Sequence, residues 1–345
     1  MNIKDVTVII PSYNRPEYAL KCLKYWSNFK INVHFVDGSE KALNLEDVKK
    51  IISKSNVEYH HINILSEVDR IRKILPQINT RYAMLSSDDD LLLPNAISKC
   101  MNELNKDKNL ISCYGQTISF YKVDNKIKFN LSDKRLKNFK NLSDNPVQRL
   151  NYHMSNYVPS IIYSLMLTNF FKKIFDVEDF KQFKFYSSLE LRASLLINFL
   201  GKSKVIKDVL VLRNKMESPA VRRTRKNTSL LMTMFAPNVK DTRINFLNGL
   251  VKSVKNADDK KNDYLYKIFA DALRKYLFFT LKRFFFKKII LMIINNVPFL
   301  FKKRKQAKIN KMFNFSELNE FCDSEGIDID QFDFDLIKKE LKVTE

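Results

Sequence analysis

Three consecutive carboxylates, Asp88, Asp89 and Asp90, are the clearest candidates for a chemical role in this sequence. Adjacent carboxylates repel one another and destabilise a fold unless a cation lies among them. Oxygen ligands of this kind suit Mg²⁺ or Mn²⁺, which typically bridge protein carboxylates and a diphosphate. The alternative is a solvated loop before a helix that begins at Pro94. A further aspartate, Asp37, follows another predicted strand, and this favours the metal-binding interpretation.

The elements that would position these carboxylates alternate along the first hundred residues. Short β-branched or apolar runs predict strands, and apolar residues at helical spacing predict the helices between them. Such an alternation forms a parallel, doubly wound sheet, which binds ligands outside the carboxyl ends of its strands. The predicted strands are 6–10, 31–36, 57–62 and 82–85, and the predicted helices begin after Asn14 and Ser66 and span 45–53 and 94–104.

Three segments are therefore expected to converge at one edge of the sheet: 11–15, 37–39 and 88–90. Asn14 is predicted to cap the first helix. Ser66 with Asp69 three residues later forms a capping box for the helix that carries Arg70.

The rest of the chain divides into two regions. Predicted strands cover 110–120, 126–131 and 205–213, residues 145–173 are expected to be largely helical, and a helix covers 187–200. From Asn214 the sequence becomes polar, basic and helical. We therefore predict an α/β domain over residues 1–215 and a helical C-terminal region over residues 216–345.

Glycine and cysteine usage excludes several kinds of site. The chain has 345 residues but only five glycines, no two of them within ten residues of each other. Glycine-rich phosphate loops need clustered glycines, so a nucleotide would be bound by side chains and a metal. The four cysteines include no Cys-x-x-Cys pair, which predicts reduced thiols in a cytosolic protein. The four histidines, His34, His60, His61 and His153, are interpreted as structural.

Charge is unevenly distributed in a chain whose net charge is +22. Residues 272–316, the basic block, contain twelve Lys and Arg and no Asp or Glu, whereas residues 317–345, the acidic tail, contain ten Asp and Glu and three Lys. The longest uncharged run of the basic block, 289–301, has thirteen residues, and a membrane-spanning helix needs about 20. Basic and aromatic side chains together predict a helix that lies in the membrane interface. The alternative is a helical core whose basic face the acidic tail covers.

Three motifs in order resemble those of the GT-A family 2 glycosyltransferases. They are Val8-Ile9-Ile10-Pro11-Ser12-Tyr13-Asn14-Arg15, then Val36-Asp37-Gly38-Ser39, then Ser87-Asp88-Asp89-Asp90 followed by Pro94. A later stretch, from Leu189-Glu190-Leu191-Arg192 through Gly201-Lys202 to Val209-Leu210-Val211-Leu212-Arg213, is similar to the end of that domain. The resemblance covers roughly residues 4–215. It implies a GT-A fold, which has a Rossmann-like, mostly parallel sheet.

The resemblance also implies a metal-dependent, inverting transfer of one sugar from a nucleotide-diphospho-sugar, with a UDP-sugar preferred. The nucleotide-sugar-binding residues that it implies are Pro11, Tyr13 and Arg15 in the base pocket, Asp37 at the base, Arg70 from its helix, and Asp88 and Asp89. The implied metal ligands are Asp88 and Asp90, with Mg²⁺ or Mn²⁺ as the ion.

Two positions depart from the family pattern. Counting back from Pro94, the first aspartate of the family's metal motif falls on Ser87, so the functional pair could be shifted and include Asp89. The family's acceptor-side Glu-Asp pair reads Ser187-Ser188 here. Glu190, just beyond it, is the candidate catalytic base, and the alternative for Glu190 is a solvent-exposed helix residue.

These observations predict a cytoplasmic glycosyltransferase that is peripheral at the inner membrane face through residues 272–316. Its expected acceptor is a carbohydrate or a lipid-linked molecule, which is either membrane-associated or part of a surface polysaccharide. Three alternatives remain open. One is a basic nucleic-acid-binding protein, since the charge and interleaved aromatic residues are typical of that class. The others are a metal-dependent phosphodiesterase or nucleotidyltransferase and a non-catalytic GT-A scaffold. Clustered carboxylates argue against nucleic acid, because they repel phosphate unless a metal is present, and no nucleic-acid partner is expected.

Overall fold

A computed structural model describes residues 3–123, 126–176, 186–215, 240–254, 259–295 and 312–342. Ten strands form one sheet in the order β3-β2-β1-β4-β9-β6-β10-β5, with β7 paired to β6 and β8 paired to β10. The strands are β1 (Val6–Ser12), β2 (Asn32–Asp37), β3 (Val57–His61), β4 (Tyr82–Leu85), β5 (Leu91–Leu92), β6 (Leu110–Val123), β7 (Lys126–Leu131), β8 (Lys140–Asn141), β9 (Leu165–Leu167) and β10 (Lys202–Asn214).

Helices alternate with the first strands and then dominate the C-terminal region. They are α1 (Pro16–Trp26), α2 (Leu45–Ile52), α3 (Glu67–Ile74), α4 (Pro94–Lys106), α5 (Pro146–Ser155), α6 (Thr168–Phe175), α7 (Tyr186–Leu200), α8 (Lys240–Val254), α9 (Asp259–Asn295), α10 (Leu318–Glu325) and α11 (Gln331–Leu341).

The first half of the sheet, β3-β2-β1-β4, is parallel throughout. The apolar residues of β1 are buried on both faces, as expected for a parallel strand that is covered on both sides. The register places Ser12 beside Asp37 and Asp37 beside His61. The carboxyl ends of these strands therefore meet at one edge, as predicted.

The second half of the sheet is mixed. β9 pairs antiparallel with both β4 and β6, β10 runs parallel to β6, and β5 runs antiparallel to β10. The predicted α/β class is confirmed, although the sheet is parallel only in part. Residues 145–173 are less helical than predicted, because β9 is held between β4 and β6 and separates α5 from α6.

The predicted Asn14 cap is wrong. Helix α1 has Arg15 at its N-cap position with no side-chain cap, and Asn14 lies in the left-handed region with φ 53°. Its backbone N–H donates a 2.7 Å hydrogen bond to Ser39 Oγ, so a tertiary contact decides its conformation. At α3 the prediction is confirmed for Ser66, which accepts a 3.2 Å hydrogen bond from the backbone N–H of Asp69.

Helix α9 has two dissimilar halves. Its 37 residues correspond to a length of about 56 Å. The proximal half packs against α5 and α8 and buries Phe269, Leu273 and Tyr276. From Phe278, which is 72% exposed, large apolar side chains face solvent. We call residues 278–295 the distal half of α9; residues 296–311 of the basic block lie outside the described residues.

The described acidic tail folds onto the N-terminal domain. The two carboxylate oxygens of Asp333 accept 3.2 Å hydrogen bonds from the backbone N–H groups of Asn95 and Ala96. The N-cap position of α4 is Leu93, which has no capping side chain, so the tail supplies the cap from outside the helix. Glu325 adds an ion pair with Lys137 at 2.7 Å. These contacts place the described tail on the α/β domain. Phe321 and Phe334 of the tail also stack on Phe313 and Phe315, the last described aromatic residues of the basic block.

Among the helices that the structure describes, none has the length and apolarity needed to cross a bilayer.

Candidate active site

Asp88 lies just beyond β4 and is hydrogen-bonded to the last residue of β1 and to the loop that follows it. Its Oδ2 accepts a 2.6 Å hydrogen bond from Ser12 Oγ, and its Oδ1 accepts one from Arg15 Nη1. The other terminal nitrogen of Arg15, Nη2, donates to Asp89 Oδ2 at 2.7 Å. Asp88 is only 6% exposed, and burial raises its pKa to about 6, with Arg15 acting in the opposite direction. Arg15 therefore joins two of the three aspartates.

Asp90 is positioned by the end of β10. Its Oδ1 accepts a 2.9 Å hydrogen bond from the backbone N–H of Asn214, and its Oδ2 lies 3.6 Å from Arg213 Nε. Burial raises the pKa of Asp90, and Arg213 opposes this effect. The contact exists because β5 pairs antiparallel with β10, Leu91 beside Leu212, and so brings the aspartate loop to this strand end.

Two arginines therefore balance the three carboxylates. The sequence predicts a metal ion in that role, whereas in the structure Arg15 and Arg213 supply positive charge. The repulsion among Asp88, Asp89 and Asp90 is therefore not by itself evidence for a metal. Within the described ranges, the one group of three metal-ligand side chains whose donor atoms lie within 4.8 Å of one another does not include these aspartates.

Asp90 nevertheless suits a divalent cation. Its Oδ2 is 3.6 Å from Arg213 Nε, which is beyond hydrogen-bonding distance, while Ser87 and the backbone N–H of Asn214 hydrogen-bond the carboxylate. A carboxylate has about four lone-pair sites, so these contacts leave capacity for a cation. Mg²⁺ usually binds one or two carboxylates and completes its shell with waters and substrate phosphates. The oxygen donors of Asp90 and Asp88 fit this pattern.

Asp37 lies at the same edge and is 2% exposed. Its Oδ1 accepts hydrogen bonds from the backbone N–H of Ser39 at 2.9 Å and from Ser39 Oγ, and its Oδ2 accepts one from Tyr59 Oη at 2.7 Å. The carboxylate is thus fixed by its own turn and by the neighbouring strand β3.

Arg70 reaches this edge from α3. Its Nη1 donates to the backbone carbonyls of Ile64 and Leu65 at 2.6 and 3.0 Å. Its buried Nε has no hydrogen-bond partner within the described part of the chain. A Cβ at Gly38 would lie 2.2 Å from Arg70 Nη1, so the glycine allows the guanidinium to approach the backbone. Burial lowers the pKa of Arg70, and Glu67, Asp37 and Tyr13 act in the opposite direction.

The remaining predicted base-pocket residues lie beside these groups. Pro11 is half-buried at the end of β1, paired with Val36. Tyr13 is half-buried and within electrostatic range of Arg70. The structure thus brings Pro11, Tyr13, Asp37 and Arg70 to one part of the edge, and Arg15 with the aspartates to another.

Glu190 joins the site from α7, outside the sheet. It is half-buried rather than solvent-exposed, and burial raises its pKa to about 7, with Arg213 acting in the opposite direction. Burial raises the pKa of Tyr276 on α9 to about 12, and the negative charge of Glu190 acts in the same direction. Glu190 is therefore within electrostatic reach of Arg213, which lies beside Asp90, and of Tyr276 on α9. The nearby Ser188 is fully buried, and its hydroxyl has no hydrogen-bond partner among the residues that the structure describes.

Sequence reasoning missed two members of this site. Arg213 touches Asp90 and influences Glu190; it ends the last motif of the family resemblance, which was the available signal. Glu67 directly follows the Ser66 cap, and burial raises its pKa to about 7; Arg70 lowers it, while Glu190 and Asp88 raise it further. No motif pointed to Glu67, since its role depends on where α3 packs.

Known proteins provide a family and several structural similarities. Residues 7–175 match the family model described as glycosyl transferase family 2. No curated protein matches the sequence. The structure of residues 1–349 of S. aureus TarS is similar with a TM-score of 0.47 and 13% identity over 79% of this chain and 89% of that one. Another S. aureus TarS structure has a TM-score of 0.46 and 13% identity over 79% of this chain and 54% of that one. TarS 1–349 in complex with UDP-GlcNAc has a TM-score of 0.45 and 13% identity over 79% of this chain and 90% of that one.

The family match begins in β1 and ends with α6, so it contains the strand-end residues from Pro11 to Asp90 and excludes Glu190 and Arg213. Residues 7–175, just under half of the chain, form a segment of the glycosyl transferase family 2 type, and the chain is a glycosyltransferase with a GT-A fold.

Proposed function

We propose that this protein transfers one sugar from a nucleotide-diphospho-sugar to an acceptor hydroxyl, with inversion and with Glu190 as the base. The observation that carries the proposal is the position of Arg213. Its Nε lies 3.6 Å from Asp90 Oδ2. Its positive charge also lowers the pKa of Glu190, which burial raises. Arg213 thus links the donor-side carboxylates to a separate carboxylate on α7, which is the pairing that inverting transfer needs.

The donor would lie along the carboxyl ends of β1, β2 and β4. Tyr13 offers an aromatic face to a base, and Pro11 and Asp37 flank it. Both oxygens of Asp37 already accept hydrogen bonds, so we propose that Asp37 shapes the base pocket through Ser39 and Tyr59 as much as through direct contact. A UDP-sugar is the preferred donor of this proposal.

The diphosphate would lie against Asp88, Asp89 and Asp90. Arg15 and Arg213 supply positive charge there, and Asp90 with Asp88 would hold Mg²⁺ or Mn²⁺. Such an ion, when bound, would neutralise charge on the departing diphosphate. The role of the protein is to hold the carboxylates: Ser12 and Arg15 orient Asp88, and the backbone N–H of Asn214 orients Asp90.

Glu190 would take the proton of the acceptor hydroxyl. A general base is most effective when its pKa lies near the working pH, and burial brings the pKa of Glu190 to about 7. As an ordinary exposed carboxylate it would be a much weaker base. The cluster of raised carboxyl pKa values at Glu190, Glu67 and Asp88 is what a catalytic cleft produces and a solvated surface does not.

The acceptor is proposed to be membrane-associated, for example a lipid-linked carbohydrate of a surface polysaccharide. Tyr276, whose pKa responds to Glu190, lies on α9 only two residues before Phe278, where the helix becomes exposed. Exposed Phe278, Phe285 and Phe286 with basic side chains among them suit binding to an anionic interface, here the inner membrane face. An acceptor carried in that interface would therefore be presented close to the base.

A donor screen tests the proposed function. The full chain would be incubated with Mn²⁺ and a panel of nucleotide-diphospho-sugars, and thermal unfolding and nucleotide release would be followed. One class of sugar nucleotide should raise the melting temperature, because it binds the native state, and should be consumed only when metal is present. The anomeric configuration of the product, read by NMR, should be opposite to that of the donor. Retention, or equal turnover in chelator, would contradict the mechanism.

A further inference from the structure

A second cluster of metal-binding side chains lies at the edge of the sheet. His34 is on β2, and Glu58 and His60 are on β3. The register pairs His34 with Glu58 and Val36 with His60. Since side chains alternate along a strand, all three point to the same face.

The donor atoms of this cluster are unusually close. His34 Nδ1 lies 3.0 Å from His60 Nε2, and the Glu58 Oε2 atom lies 3.5 Å from His34 Nδ1 and 3.4 Å from His60 Nε2. In a tetrahedral zinc site with bonds of about 2.0–2.1 Å, neighbouring ligand atoms are separated by about 3.3 Å. The separations of the three donors thus match one face of such a tetrahedron, and the hydrogen bond between the two rings would give way to the ion.

We propose that His34, Glu58 and His60 bind a Zn²⁺-like divalent cation, with solvent at the fourth position. Two imidazoles and one carboxylate are an established ligand set for zinc. Glu58, with a side chain 62% exposed, leaves the cluster open to solvent, which gives the ion a path of entry.

This site is separate from the donor carboxylates. His34 precedes Asp37 by three residues on β2, so the two side chains lie on opposite faces of the sheet. The bound ion would join β2 to β3, the two strands that hold Asp37 and its hydrogen-bond partner Tyr59. We therefore assign it a stabilising role at the edge of the sheet, independent of the proposed sugar transfer.

Zinc titration of the full chain tests this proposal. After removal of metals with a chelator, the protein would be titrated with Zn²⁺ by calorimetry, and its thermal unfolding measured with and without the ion. We expect one tight site per chain, distinct from any weaker binding at Asp88 and Asp90, and a rise in melting temperature. Glu58→Gln and His60→Gln, which preserve much of the side-chain shape, should each weaken binding by at least about 10-fold.

Matched variants separate this cluster from other sites. His61→Gln changes the neighbouring histidine, which contacts Ser39 O at 2.8 Å instead, and Asp90→Asn changes the donor site; both should retain zinc binding at the cluster. Co²⁺ would serve as a spectroscopic probe of tetrahedral nitrogen and oxygen ligation. Equal affinity in the Glu58 and His60 variants, loss of binding in Asp90→Asn, or no zinc binding by the intact chain would overturn the proposal. In each of these cases the three side chains form only a hydrogen-bonded cluster.

Discussion

The strand-end site and the distal half of α9 depart from ordinary burial in opposite directions. At the strand ends, charged groups are buried: Asp88 is 6% exposed and Asp37 is 2% exposed. On α9, Phe278 is 72% exposed and Phe285 is 61% exposed. Buried charge needs a compensating partner, and a large exposed apolar patch usually marks an interaction site.

The compensation has a different origin in the two regions. At the strand ends it is internal, because Arg15 and Arg213 balance the aspartates. At the distal half of α9, Phe278, Phe285 and Phe286 are largely exposed, and we propose that another molecule covers them. The comparison separates an internally compensated site, which we propose binds a small ligand, from an exposed apolar surface, which we propose contacts a membrane. The variants below test that division.

The largest effect is expected for Asp90→Asn. The amide keeps an oxygen to accept the hydrogen bond from the N–H of Asn214 but loses the charge that would bind a cation. Metal-dependent transfer should fall by about 10³-fold, because a metal that stabilises the leaving group contributes several kcal/mol. The measurement is the rate of nucleotide release at saturating Mn²⁺. Asp47→Asn, on the outer helix α2, is the control and should retain activity.

If the rate of the Asp90 variant stays near normal, Arg15 and Arg213 alone neutralise the diphosphate. The assignment of Asp90 as a metal ligand would then be wrong, and Asp89 would be the next position to test.

The next largest effect is expected for Glu190→Gln, which preserves size but cannot accept a proton. The catalytic rate should fall by about 10²-fold or more, with donor affinity little changed. The wild-type rate should rise with pH through about 7, because the pKa of Glu190 is raised to about 7 and only its ionised form is a base. The variant should lose this rise.

Glu67→Gln is the matched comparison, since burial raises the pKa of Glu67 to about 7 as well. If the Glu67 variant loses the pH dependence and the Glu190 variant keeps it, Glu67 is the base. Two other carboxylates are poorer candidates for the base, because Asp144 pairs with Lys202 and Asp176 pairs with Arg72 at the surface.

Sequence reasoning predicted the parts of the site that depend on local order. The β-branched run of β1 and the positions of Asp37 and Asp88 at strand ends follow from the alternation of elements, which fixes the edge where they meet. It failed where a distant segment decides the outcome. Asn14 is held by Ser39 rather than capping α1, and Asp90 meets Arg213 only because β5 pairs with β10.

The same limit explains the C-terminal region. Periodicity alone could not show that β9 would separate two helices, nor that the acidic tail would cap α4. The basic block was predicted as one interfacial unit, yet the structure buries its first residues, including Leu273 and Tyr276, against the rest of the molecule. Which face of a long helix is covered depends on its neighbours, and these are distant in sequence.

A smaller effect is expected at the distal half of α9. Replacing Phe278, Phe285 and Phe286 with Ser should weaken co-sedimentation with anionic vesicles by about 10-fold, because apolar insertion is lost while the basic charge remains. The residual binding should disappear in high salt, which shortens the Debye length to about 3 Å at 1 M. The intact protein should retain part of its binding there, and it should bind neutral vesicles poorly.

Tyr264→Ser is the matched control for this prediction. Tyr264 is 62% exposed on the same helix but belongs to the proximal half. Loss of vesicle binding in this control, or none in the triple variant, would place the membrane contact elsewhere. Truncation before residue 272 is a poorer test, because it would also remove Asp333, which caps α4.

The smallest effect is expected for Asp333→Asn, which weakens the cap that the acidic tail provides. The backbone N–H groups of Asn95 and Ala96 each lose a charge-assisted hydrogen bond, so the free energy of unfolding should fall by about 1 kcal/mol. Asp335→Asn, exposed on the same helix, should change it much less. Denaturant unfolding measures both variants.

Vesicle binding by the Asp333 variant separates two roles for the tail. If the tail covers α4, as the described contacts show, loosening it should leave anionic vesicle binding unchanged. If the tail also screened the basic block, its release would free lysines and arginines, and vesicle binding at low salt should rise. An increase in the Asp333 variant that high salt abolishes would therefore mean that the two regions are coupled, because the negative charge that stabilises the catalytic domain would then also restrain the membrane-binding helix.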